Sequence, residues 1–292
     1  MTESNRLASL NARIANAARV EGSDSQRIRR TLAFQRLLAR MADSGWVLKG
    51  GYCLEARLPR QARATQDIDF VRRQRSPSED ELLDELDAVL GRVLLDDGFS
   101  FDARSARLTR AAEDPAPAWR VRVDCLVDGR LFEPLKLDVV SQFDEVAEAV
   151  ERLVVVPPIA GEGIGAVIVP AVDVYQHAAE KFHALGRLYA GERPSSRVKD
   201  LVDLVLLSEA GLVTDRDRLA RRVVAVHEMR DGAAPPMRLP EPPRDWDARY
   251  ARLVVDLDLT PESAADAFVI VQRLYREAIG REGAQGSVPP TG

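Results

Sequence analysis

A chain of 292 residues, 46% of them apolar, is long enough for one large domain or two modest ones and can bury a real core. Its net charge of −5 excludes a global basic field that draws the whole protein onto nucleic acid, which leaves any such task to local patches. Two cysteines, Cys53 and Cys125, outside any CxxC spacing, and three histidines exclude a Cys/His zinc site and read as buried thiols; no apolar run reaches the ~20 residues that span a bilayer, and the polar N-terminus lacks a signal core, so the expected location is the cytoplasm.

In chain order, the pattern predicts a helix over Leu7–Val20 and a second over Arg27–Met41, capped by Ser23 or Ser25, with Leu32, Phe34, Leu37, Leu38 and Met41 on its apolar face. Trp46-Val47-Leu48 reads as a short strand that runs into Gly50-Gly51 and a short helix ending near Leu58. Pro59–Gln66 is a basic loop. Ile68, Phe70 and Val71 belong to a strand, and Asp80–Leu95, started by Ser78, to an amphipathic helix. Three more strands are expected at Phe99–Leu108, Trp119–Val127 and Leu135–Val140, with Asp128-Gly129 as the hairpin turn between the last two. From Val172 onward the pattern is helical: Val174–Leu188, a break at Gly191–Ser196, Arg197–Glu209, Thr214–Arg230, a Pro-rich connector at Ala234–Pro243, then Trp246–Val255 and Pro261–Ile279. The expected class is therefore α+β: residues 1–170 form N-terminal helices and a mixed sheet, 171–280 form a helical domain completing a cleft, and 281–292 form a flexible tail.

The chemistry concentrates where strand, glycines and helix meet. Backbone amides at Gly50 and Gly51 can cradle phosphates, because glycine allows close approach and a helix start favours an anion. In a strand, Asp67 and Asp69 share one face while Ile68 and Phe70 take the other. Two carboxylates so placed repel unless a cation sits between them, and Mg²⁺ takes oxygen ligands of this kind together with substrate phosphates. A solvated edge strand bearing two surface aspartates is the plainer alternative. A third carboxylate is sought on the apolar strands; Asp138 is the leading candidate and Asp124 the competitor. Further on, Lys181 lies on one helix and Asp200 and Asp203, three apart, on the next. They read either as an interhelical salt bridge or as a functional set in which Lys181 holds a triphosphate and Asp203 orients it. His177 and His183 carry no assigned role.

Together, Lys49-Gly50-Gly51, Arg63 to Asp69, Asp138, Glu180 to Leu185 and Arg197 to Leu204 resemble the AbiEii/AbiGii family of nucleotidyltransferase toxins, MenT-type toxins included, over about Arg27–Glu209. The resemblance implies a polymerase-β-like nucleotidyltransferase mixed sheet followed by a helical domain. It implies Lys49, Asp67, Asp69, Lys181 and Asp203 as active-site residues, with Lys49 at the nucleotide; Asp138 is expected to complete the metal site or to act as base toward the attacking hydroxyl. It also implies a nucleoside triphosphate with Mg²⁺ (or Mn²⁺), transfer of NMP to the 3′ end of tRNA with arrest of translation, and a cognate antitoxin. Transfer to a protein or small-molecule acceptor, and a non-catalytic NTP-binding regulator, stand as alternatives. The chain departs from the wider pattern at the turn: Gly51 stands where a serine often contacts phosphate, and bulky Tyr52 follows. Arg57 to Arg63 would track acceptor phosphates, and a phosphate on Thr65, two residues before Asp67, would compete with NTP for the metal site.

Overall fold

In a computed structural model, residues 3–59, 61–73, 78–91, 96–110, 117–141, 145–187 and 197–285 are described. Helices α1 (Glu3–Glu21) and α2 (Ser25–Met41) lead into β1 (Val47–Lys49), α3 (Gly50–Arg57), β2 (Ile68–Val71), α4 (Glu79–Leu90), β3 (Phe99–Arg110), β4 (Ala118–Val127), β5 (Arg130–Val140), β6 (Val150–Val155) and β7 (Val167–Val172). Then follow α5 (Val174–Gly186), α6 (Val198–Glu209), α7 (Arg216–Asp231), α8 (Trp246–Val254) and α9 (Ala264–Gln285). Contacts group the chain into two compact units: Met1–Arg57 with Ala64–Ala171, and Leu58–Arg63 with Val172–Gly292.

The first unit is built on one seven-stranded mixed sheet in the order β3-β4-β5-β2-β1-β7-β6. β2 runs parallel to β5 and antiparallel to β1; β3, β4 and β5 form an antiparallel meander. At its centre Leu48, Ile68, Leu137 and Ala171 are fully buried. Removing each large aliphatic chain from water stabilises the fold by ~1.5–3 kcal/mol, so these short strands are held by burial more than by length. α2 buries the expected Leu32, Phe34, Leu37, Leu38 and Met41. It also buries Arg36 and Arg40, both bonded to Asp97, the Arg40 pair being bidentate at 2.6 Å. Neither arginine suggests a buried position in the sequence.

Local rules explain the boundaries and also correct one of them. Asp24, rather than either serine, caps α2 by accepting from the Gln26 amide at 2.9 Å. Ser78 caps α4 as expected, accepting from the Glu81 amide. Asp128 and Gly129 both adopt positive φ, +47° and +73°, as the tight hairpin between β4 and β5 requires. β6 and β7 are not among the strands expected from sequence. Their Val-rich runs, Leu153–Val155 and Val167–Val169, lie beside Pro157-Pro158 and several glycines that mask the alternation. The Gly191–Ser196 break lies outside the described residues.

In the second unit α5, α6, α7 and α9 pack together, with Phe182 against Tyr275 at 5.2 Å between ring centroids and Trp246 and Tyr250 of α8 buried. Gly232, at φ +64°, closes α7 with a left-handed cap. α9 runs through Gln285, past the end expected at Ile279, because Arg281, Glu282, Ala284 and Gln285 are good helix formers; positions 286–292 lie outside the described residues. No described helix is long and apolar enough to cross a membrane.

Candidate active site

The pairing register assembles the predicted residues of the first unit into one row across four strands. Lys49 on β1 is the register partner of Asp69 on β2, Asp69 of Asp138 on β5, and Asp138 of Arg120 on β4. Residues directly opposite on neighbouring strands project from the same face, so the row reads cation, anion, anion, cation. Two adjacent carboxylates destabilise a sheet; the flanking Lys49 and Arg120 offset that repulsion. Asp67 stands immediately before β2, two residues from Asp69, and is half-buried like Asp69 and Asp138. Asp124, the competing third carboxylate, is instead opposite Pro134 and Asp102 and bonds Arg104 at 2.7 Å.

Arg120 was not among the sequence candidates. It grips Asp138 through two parallel bonds, Nε–Oδ1 at 2.7 Å and Nη2–Oδ2 at 2.6 Å. The pairing raises the Arg120 pKa above the ordinary guanidinium value, first through the bonds to Asp138 and then through its charge, with Asp67 and Asp69 adding to it. All three carboxylates are therefore felt at one guanidinium. The signal that could have revealed this is the register of the expected hairpin at Asp128-Gly129, which places Arg120 opposite Asp138.

Gly50 sits over the row. Its φ is +69°, and a Cβ built there would lie 2.0 Å from Asp69 Oδ2. Both facts require glycine: the backbone is left-handed, and the Asp69 carboxylate fills the space any side chain would take. The chain thus leaves the strand and enters α3 with its backbone pressed against the carboxylate. Thr65 is half-buried; its hydroxyl donates to the Asp67 carbonyl at 3.1 Å and its amide to Glu55 Oε2 at 3.2 Å.

Among the described residues, no three His, Cys, Asp or Glu side chains are gathered to hold a metal ion as they stand, and both oxygens of Asp138 are engaged by Arg120. The donor chemistry nonetheless fits an oxygen-seeking divalent cation. Asp69 and Asp138 present adjacent carboxylates on one face, Asp67 supplies a third nearby in the chain, and no thiol or imidazole competes in the row.

In the second unit Lys181 of α5 is buried and bonds two carboxylates of α6, Asp200 Oδ1 at 2.8 Å and Asp203 Oδ2 at 2.7 Å. Arg63 clamps the fully buried Asp203 bidentately, at 2.8 and 3.0 Å, and Arg197 Nε lies 2.9 Å from Asp200 Oδ2. Burial opposes the Lys181 charge, but Asp200 and Asp203 outweigh it and raise its pKa. Burial likewise opposes ionisation of Asp203, but Lys181 and Arg63 hold it far below the usual carboxylate range. The ion-pair arrangement entertained from sequence is thus real, and Arg63 belongs to it. Arg57 is also engaged, with Glu151 at 2.6 Å and Cys53 Sγ at 2.8 Å, so the two arginines expected to track phosphates are committed to internal partners. Arg60 lies outside the described residues.

A mixed sheet carrying a glycine turn and a carboxylate row, with helices around it and a helical unit besides, defines an α+β protein of the nucleotidyltransferase kind. The family model described as nucleotidyl transferase AbiEii toxin, of type IV toxin–antitoxin systems, matches residues 34–271. The chain belongs to this AbiEii family of nucleotidyltransferase toxins. Among solved structures it is similar to MenT4, a nucleotidyltransferase toxin from Mycobacterium tuberculosis H37Rv, with 20% identity and a TM-score of 0.54 over 95% of this chain and 90% of the other. No protein of curated function matches it. Family membership brings with it an NTP substrate and an antitoxin partner.

Proposed function

We propose that the chain transfers a nucleoside monophosphate from an NTP to the 3′ end of tRNA in the cytoplasm, and so blocks translation until its antitoxin neutralises it. The observation that carries this reading is the row Lys49-Asp69-Asp138 beside a glycine that Asp69 itself leaves no room to replace. Asp67, Asp69 and Asp138 would hold Mg²⁺ (Mn²⁺ in its place), which when bound neutralises triphosphate charge and acidifies the attacking hydroxyl.

The remaining work falls to the chain's own groups. Gly50 and Gly51 offer backbone amides to the phosphates, and Lys49 adds a cation at the end of the row. In the helical unit Asp203, clamped by Arg63, fixes the position of Lys181 and keeps it charged. The acceptor 3′-oxygen attacks the α-phosphorus, its proton leaves to a base, the bond to the β-phosphate oxygen breaks, and pyrophosphate departs. Positioning and charge neutralisation supply most of the rate.

The test is to incubate the protein with total tRNA, Mg²⁺ and each α-labelled NTP in turn, with Asp69→Ala beside it. Label on tRNA with the wild type alone supports the reading. Label on protein instead moves the acceptor to a side chain, and no label with any NTP overturns the transfer reaction.

A further inference from the structure

The polar face of β3, β4 and β5 continues the carboxylate row outward and carries four cations in two rows, beyond which Asp102 stands opposite Asp124, itself bonded to Arg104. Arg107 on β3 is the register partner of Arg120, and Arg122 on β4 is the partner of Lys136 on β5. Arg120 and Arg122 are two apart on one strand, so all four cations share a face. Two like-charged pairs thus stand directly opposite each other in neighbouring rows, an arrangement that destabilises a sheet. Only Arg120 is matched, by Asp138. Arg107, Arg122 and Lys136 are exposed and make no ion pair with any described residue. The opposite face of the same strands is apolar, with Ala106, Val121 and Leu137 in one row and Trp119 and Val139 in the next, all buried. Among the described residues, nothing neutralises these three cations, although the chain carries a net charge of −5.

We propose that this face is the docking surface for the sugar–phosphate backbone of the RNA acceptor, an inference that rests on the tRNA reading above. Charge complementarity names the occupant. The strands that carry the cations are about 5 Å apart and alternate residues along a strand about 7 Å apart, a spacing of attachment points suited to successive phosphates. The two rows carry no aromatic or large aliphatic side chain of the sort that anchors a protein partner, and Ser105, opposite Arg122, is the remaining residue in them. The Arg107-Arg120 row ends on Asp138 and Asp69, so a backbone laid along it leads its terminus toward the carboxylates. This assigns to the sheet the phosphate contacts that Arg57 and Arg63, bound to internal partners, do not offer.

The test uses the full chain carrying Arg107→Gln, Arg122→Gln and Lys136→Gln together, none of which touches Asp138. Binding of deacylated total tRNA is followed by fluorescence anisotropy without NTP, from 50 to 200 mM KCl, beside NTP binding and thermal unfolding as checks on the fold. The expected result is a loss of tRNA affinity of about 10-fold or more and a salt slope shallower by about 2, with NTP binding unchanged. Equal affinity and slope in variant and wild type overturn the inference while leaving the acceptor reading intact. Failure of the wild type to bind or label tRNA overturns both. A variant that keeps tRNA but loses its antitoxin assigns the face to a protein and overturns the proposal.

Discussion

Gly50 can be separated from the other left-handed glycines by substitution, because the structure contains its own control. Gly45 and Gly50 have similar backbones, φ +79° and +69°, yet a Cβ at Gly45 meets nothing within 4 Å while one at Gly50 falls 2.0 Å from Asp69 Oδ2. Alanine at either position incurs the left-handed penalty of ~1–2 kcal/mol. Only Gly50→Ala must also push the Asp69 carboxylate away, by roughly 1.4 Å to regain an ordinary 3.4 Å contact, and a 1 Å misplacement at a reacting centre lowers rates by about 10²-fold. Urea unfolding should therefore show Gly45→Ala less stable by ~1–2 kcal/mol, with Mn²⁺ binding by electron paramagnetic resonance and nucleotide transfer near wild type. Gly50→Ala should lose at least as much stability, bind Mn²⁺ weakly and transfer at about 1% or less of the wild-type rate. If Gly50→Ala matches Gly45→Ala in metal affinity and transfer, the contact with Asp69 has no functional meaning and the reasoning fails.

Arg120→Gln should tighten Mn²⁺ binding about 2–5-fold, because a half-exposed ion pair that competes for Asp138 is worth at most ~1 kcal/mol; weaker binding in that variant would show that Arg120 supports the cation site rather than competing with it. Thr65→Glu should lower transfer more than 10-fold with little change in thermal stability, since it sets a negative charge beside Asp67 and Asp69; full activity would remove Thr65 as a point of control. Asp203→Ala should destabilise the protein by ~3–5 kcal/mol by leaving Lys181 and Arg63 without their shared counterion, and a loss under ~1 kcal/mol in denaturant melts would contradict the buried-pair reading. Because Asp203 is held ionised far below its unfolded pKa of ~3.9, its stability is present above that pH and is lost as pH falls through the folded value. Acid unfolding below about pH 4 should accordingly be shallower in Asp203→Asn than in wild type.

How much of this was legible in the sequence depends on which forces are local. The strand–glycine–helix turn, the hairpin at Asp128-Gly129 and the apolar face of α2 follow from backbone conformation and periodicity, which neighbouring residues determine. Asp69 and Asp138 could be named from their apolar strands, because burying a carboxylate without a partner is expensive. Their adjacency could not, since parallel pairing of β2 with β5 is set across the whole sheet. Arg120 was missed although its hairpin was expected: the turn at Asp128-Gly129 sets the register that puts it opposite Asp138, and that register was not followed along the strands. Arg57 and Arg63 were misread because an arginine in a polar loop looks solvated until its carboxylate arrives from distant sequence, as Asp203 does for Arg63. β6 and β7 escaped because their short valine runs sit among prolines and glycines, where strand and loop signals compete.

The two charged clusters follow opposite physical logics, and that difference predicts how each responds to change. In the helical unit, Asp203 is fully buried and bonded by two cations, so its geometry is fixed by the fold and removing one partner leaves a charge without water. Substitutions there must act on stability first and on activity through it. In the sheet unit, Asp138 and Arg120 are partly exposed, so their bidentate pair is screened by solvent and open to exchange with a cation or a phosphate. Substitutions there should leave melting temperature nearly unchanged while altering what the row binds. Measuring stability and Mn²⁺ affinity for the same pair, Asp203→Asn and Arg120→Gln, tests the contrast directly. Equal effects of both on stability would mean that the sheet row is as structural as the helical cluster, and the assignment of chemistry to the row would lose its physical basis.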